Sequence, residues 1–151
     1  MEMLPLRKRI DDEMKTAMRN KESQRLGTIR LLISAIKQKE IDERITLDES
    51  QIFAVIDKMI KQRLDSIKHY ETGERPDLIE IEKAEIEILK QYLPLPLSEN
   101  EIDSLIKNAI KEVSPTSIKE LGKVISHIKP QIQGRADIGK VSAKIKAILE
   151  A

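Results

Sequence analysis

The sequence predicts an all-α protein: an N-terminal bundle of about four helices followed by a small three-helix C-terminal domain. Three observations carry that expectation. Apolar residues recur at steps of three and four along the 151 residues, no alternation of period two persists, and capping residues stand in front of several of the apolar stripes. With one Phe, two Tyr and no Trp, Ile and Leu must build the core. A chain of this length buries roughly two thirds of the surface it exposes when unfolded, so an aliphatic core is feasible without disulfides or metal.

Leu6, Ile10, Met14 and Ala17 line one face of a first helix, about 4–20, with Arg7, Lys8, Asp11, Asp12 and Lys15 on the other. Leu26, Ile29, Leu32, Ile33 and Ile36 continue the pattern in a second helix ending near residues 40–43, its stripe broad enough to pack on two sides. Thr46 stands three residues before Glu49, a capping box that starts a third helix near 47. Ile52, Val55, Ile56, Met59, Ile60, Leu64 and Ile67 carry that helix to Tyr70, and Gly73 ends it. Pro76 suits the first turn of a fourth helix, about 76–92, because a missing N–H costs nothing there. That helix is expected to bury Leu78, Ile81, Ile88, Leu89 and Tyr92 and to expose Glu80, Glu82, Glu87 and Lys90.

Leu93-Pro94-Leu95-Pro96-Leu97 cannot continue a helix, which divides the chain into residues 1–93, a Pro-rich linker 94–97 and a domain 98–151. The linker is apolar, as a packed hinge would be. Ser98 and Glu101 form a second capping box before Ile102, Leu105, Ile106, Ala109 and Ile110. Ser117 and Glu120 form a third, before Leu121, Val124, Ile125 and Ile128. Pro130 and then Gly134 close that helix, and Asp137 caps a last one through Val141, Ile145, Ile148 and Leu149.

Composition narrows the function classes. There is no Cys, so thiol nucleophiles and Cys-containing zinc sites are excluded, and His69 and His127 stand alone, without another His at ligand spacing. No metal or cofactor is expected. The acidic pairs Asp11-Asp12 and Glu80/Glu82 fall on polar helix faces, and Ser66, Ser104, Ser126 and Ser142 have no nucleophile elbow around them. No self-sufficient active site is visible. Residues 1–9 lack the apolar stretch of a signal peptide, and no apolar run approaches the roughly 18 residues of a membrane span. The expected location is the cytoplasm, with no membrane partner.

Charge distribution is more informative. The chain balances 27 Lys and Arg against 26 Asp and Glu, yet from Lys119 to Leu149 seven cations face only Glu120 and Asp137. Lys119, Lys123, Lys129, Arg135, Lys140 and Lys144 are therefore candidate phosphate contacts, with affinity from counterion release. The alternative is a solubilising lysine face, and no aromatic residue is present there for base stacking.

The stretch Leu121-Gly122-Lys123-Val124-Ile125, then Ile128-Lys129-Pro130 and Gly134-Arg135-Ala136-Asp137, resembles the tail-domain signature of the GatB/YqeY family. Leu26-Gly27-Thr28-Ile29-Arg30, Lys61-Gln62-Arg63-Leu64-Asp65-Ser66 and Glu87-Ile88-Leu89-Lys90-Gln91-Tyr92-Leu93-Pro94 extend the resemblance over nearly the whole chain. It implies a free-standing YqeY-like protein with a helical bundle and a three-helix tail. The related tail of the amidotransferase B subunit helps hold tRNA during amidation, and members are described under carbon–nitrogen ligases with glutamine as amido donor. The amidotransferase catalytic centres do not fit within 151 residues, so the resemblance implies a tRNA-related accessory module. A helical module docking on an amidotransferase or other translation protein is the alternative, and an enzyme in its own right a third reading. Gln131 and Gln133 depart from the family, which commonly carries lysine there. Gly122 is expected to allow close helix packing and Gly134 a left-handed helix end.

Overall fold

The computed structural model describes residues 5–151. Residues 1–4, which include the start of the predicted first helix and part of the stretch read for a leader, lie outside the described residues. Every element among the described residues is helical, so the protein is all-α. The helices are α1 (Pro5–Arg19), α2 (Ser23–Glu43), α3 (Glu49–Thr72), α4 (Pro76–Lys90), α5 (Glu99–Val113), α6 (Leu121–Ile132) and α7 (Ile138–Glu150), with a 3₁₀ turn at Ile118–Glu120 before α6. Two compact units result, one ending at Leu93 and one spanning Pro94–Ala151.

In the first unit, Leu6 and Ile10 of α1, Ile29, Leu32, Ile33 and Ile36 of α2, the α3 stripe from Ile52 to Ile67, and Ile86 and Leu89 of α4 share one aliphatic core, closed by Tyr92. Two faces differ from the periodicity reading. Ile81 is exposed, and Ile86, absent from that reading, takes the buried position; Leu64 of α3 is exposed as well. Polar contacts fix the helix ends. The Arg7 guanidinium donates to both Glu40 oxygens at 3.0 and 3.1 Å, and the Leu47 N–H donates to Glu40 Oε2 at 2.9 Å.

The start of α3 corrects a second expectation. Asp48, not Thr46, is the cap: its carboxylate accepts from the Gln51 N–H at 2.8 Å and Gln51 Oε1 accepts from the Asp48 N–H at 2.9 Å. Leu47, just before the cap, and Ile52, just inside the helix, are both fully buried in the same core, the arrangement of a hydrophobic staple.

The second unit has its own core of Ile102, Ile106, Ala109, Val124, Ile128, Ile132, Val141 and Ile145. The Ser98–Glu101 box caps α5. Ser117 caps the 3₁₀ turn instead of α6, and Glu120 turns to Thr116, accepting from its N–H and from its hydroxyl. Helix α6 runs through Pro130 and ends at Ile132, two residues before Gly134. Pro130 removes one bond near the helix end, where its would-be acceptor belongs to the exposed Ser126, so water can replace the missing donor. Gly134 (φ 78°) takes the left-handed residue after α6, and Asp137 caps α7 by accepting from Gly139 and Lys140.

Candidate functional site

The six candidate cations all lie in the second unit, and local chemistry sorts them into two groups. Lys144 leaves α7 towards α5, where its ammonium meets Glu99 and, at 3.3 Å, Asp103, one helical turn apart. The Glu99 carboxylate first, and then Asp103, holds the Lys144 ammonium above its ordinary pKa. Arg135 acts as a clasp. Its Nε donates to the Leu95 carbonyl at 2.9 Å while its own carbonyl accepts from the Leu97 N–H at 2.8 Å, and its guanidinium stands 4.0 Å from Glu101. The apolar segment 95–97 is thereby hydrogen-bonded to the residue after Gly134.

Lys123 is exposed but leans on Glu120 at 3.4 Å. The Thr116 N–H is the main reason that Glu120 stays ionised below its ordinary pKa, with the Lys123 contact adding to it. Lys119, Lys129 and Lys140 are exposed and, among the described residues, have no carboxylate within ion-pair distance. Lys146 behaves the same way and belongs with them, although spacing arguments passed over it.

The cations do not form one stripe. At 3.6 residues per turn, Lys123 and Lys129 point about 120° apart around α6, whereas Lys140 and Lys144 share a side of α7. Gly122 also departs from expectation. It is exposed, and a Cβ added there meets nothing within 4 Å, so close helix packing does not explain it. Gln131 is exposed, whereas Gln133 is buried.

A groove of about 540 Å³ lies beside Arg135, floored by Leu97 and Leu105 and rimmed by Asn100, Glu101, Ser104 and Gln131. It carries one hydroxyl and one carboxylate but no histidine. His69 and His127 are both exposed, His127 one turn after Lys123 on the same side of α6. Among the described residues no three His, Asp or Glu side chains converge as metal ligands would. No helix among them is long and apolar enough to cross a membrane.

Comparison with known proteins adds the family. The sequence model of the family described as Yqey-like protein matches residues 7–149. Among curated proteins, the chain is similar to Altered inheritance of mitochondria protein 41, mitochondrial, of Lachancea thermotolerans, with 38% identity over 140 residues, 88% of this chain and 75% of the relative. The protein of the same name from Pyrenophora tritici-repentis is 31% identical over 95% of this chain and 80% of its own length. That of Kluyveromyces lactis is 36% identical over 89% and 68%. All three are named as mitochondrial, which overturns the cytoplasmic placement. A mitochondrial leader is amphipathic and Arg-rich, so a search for an apolar leader does not separate the two compartments.

Proposed function

This chain belongs to the YqeY-like protein family, and from that premise we propose that it is a non-catalytic, tRNA-related accessory module whose second unit contacts the phosphate backbone. One observation carries the reading: Lys119, Lys129 and Lys140 project uncompensated from a segment whose only two acids are engaged locally, Glu120 by Thr116 and Lys123 and Asp137 by the α7 cap. The resemblance to the amidotransferase B-subunit tail supports the same ligand. Lys123 joins these three as a contact able to exchange Glu120 for phosphate, whereas Lys144 and Arg135 hold the unit together. For the compartment, the relatives' names support a mitochondrial setting.

The test is binding of the full chain to total tRNA across a salt series. Reversing Lys119, Lys129 and Lys140 to Glu should weaken binding and flatten the dependence of log K on log salt by about 2–3 units, the loss expected for three phosphate contacts. Lys144→Gln should leave that slope unchanged. Unaltered affinity and slope in the triple variant would remove this surface from consideration.

A second reading, a module docking on an amidotransferase or other translation protein, is favoured by Leu95, which is 83% exposed on a segment held in place by Arg135. A partner retained after nuclease digestion would support it, and loss of every partner on digestion would count against it.

A further inference from the structure

Among the described residues of the first unit, the outward face of α2 has no helix packed on it, although its composition is that of an interface. Positions 27, 31, 34, 38 and 41 fall within an arc of roughly 80° at 3.6 residues per turn, opposite the buried Ile29, Leu32, Ile33 and Ile36. This face carries Leu31, 52% exposed, and Ile41, 70% exposed, more accessible than the other large apolar side chains among the described residues of the first unit. Gly27 lies one turn before Leu31, and Ser34 and Gln38 lie between Leu31 and Ile41, the Gln38 amide donating to Asp42 at 2.9 Å. A Cβ at Gly27 meets nothing within 4 Å, so nothing in this fold requires a glycine inside a 21-residue helix, where glycine is disfavoured. Small residues alternating with large ones form the ridge-and-groove relief that receives a second helix.

Charge selects the kind of helix. Arg30 and Lys37, seven residues apart, run along one border of the face, and Arg44 stands at the C-cap. None of the three has a carboxylate within ion-pair distance among the described residues. Among the described residues the Arg30 guanidinium meets Met18 Sδ at 3.7 Å, and Met18 extends the apolar surface with 47% exposure. By contrast, Arg7, Arg9, Arg25 and Arg63, the other arginines of α1 to α3 apart from Arg19, are all ion-paired. A nucleic acid would leave Leu31 and Ile41 in water. A lipid surface would gain nothing from Gly27 and Ser34.

We infer that this face of α2 docks an amphipathic helix of a partner protein, its apolar ridge seated over Gly27 and Ser34 on either side of Leu31 and reaching Ile41, and its acidic border against Arg30, Lys37 and Arg44. The inference rests on the first unit alone and is independent of tRNA binding by the second.

The probe is a synthetic helical peptide of about five turns with a Leu stripe bordered by Glu, its binding to the full chain read by fluorescence anisotropy. A Lys-bordered peptide, total tRNA and vesicles containing anionic lipid serve as competing arms. The Glu peptide should bind, and Arg30→Glu/Lys37→Glu should weaken it at least tenfold. Gly27→Trp should do the same while the chain keeps its helical signal, since that position is open. Lys58→Glu/Lys68→Glu, an equal charge change on exposed α3 positions, should leave binding unchanged. The inference is overturned by no binding of the Glu peptide, by equal binding of the Lys peptide, or by equal losses in the α2 and α3 variants. It is also overturned if tRNA or vesicles, and not the peptide, bind in a manner sensitive to Gly27→Trp.

Discussion

Glu40 shows how much one side chain does in this fold. Its carboxylate accepts both arms of Arg7 from α1 and the N–H of Leu47 ahead of α3, so it joins the ends of three helices. The Arg7 hydrogen bonds, more than the Leu47 N–H, hold Glu40 below its ordinary pKa of 4.5. A depressed folded-state pKa contributes stability that is present above the unfolded value and lost as pH falls through the folded one. Glu40→Ala should therefore cost about 2 kcal/mol near neutrality, the scale of charge-assisted hydrogen bonds. In urea melts at successive pH values, the gap from the parent should close as pH drops below 4.5; a gap independent of pH would show that the carboxylate charge is not what matters. Tyr92 presents the opposite case. Burial first, and the nearby Glu13 carboxylate second, push its phenol up to about 12, so it stays neutral, with the Arg9 guanidinium over its ring at 4.9 Å.

Helix termini separate two kinds of sequence signal. The Ser98–Glu101 box and the Asp137 cap form where their spacing places them, whereas the cap expected at Thr46 forms two residues later, at Asp48, which pairs with Gln51. Asp48→Ala should cost about 1 kcal/mol and Thr46→Ala almost nothing, as measured by thermal melts. Equal effects would return the cap to Thr46. Inside α2 the relevant residue is Gly27, where a methyl meets no neighbour. Gly27→Ala should raise stability by about 1 kcal/mol, the helix-propensity difference. A destabilised variant would mean that the glycine serves the fold after all.

Across the whole molecule, each unit closes its own aliphatic core, the first through α1 to α4 and the second through α5 to α7. Ile128 is fully buried in the second, whereas Ile125 is only partly buried at its edge. An unpaired carboxylate at Ile128 should cost several kcal/mol, roughly the whole stability of a module of this size. Hydrogen exchange of Ile128→Asp should show lost protection from residue 98 onward while the helices of the first unit retain theirs. Loss of protection throughout the chain would mean that the two cores fold as one. The charge map has the same two-part character: Lys144 of α7 and Arg135 are met by α5 acids, while Arg30, Lys37 and Arg44 have no carboxylate within ion-pair distance among the described residues.

The helical class, the course of most helices and the family were legible in the sequence alone, because period, caps and prolines act within a few residues of one another. Which cations lack an ion pair depends instead on contacts between distant positions. Lys144 meets Glu99 across 45 positions and Arg135 meets Leu95 across 40, pairings that no local pattern encodes. The same limit explains Ile81 and Ile86, whose shared periodicity fits two faces of α4 until α2 and α3 cover one of them. It applies to α2 as well: the stripe of Ile29, Leu32, Ile33 and Ile36 was legible in the sequence and is buried, but that Leu31 and Ile41 on the opposite side stay exposed depends on how the neighbouring helices pack.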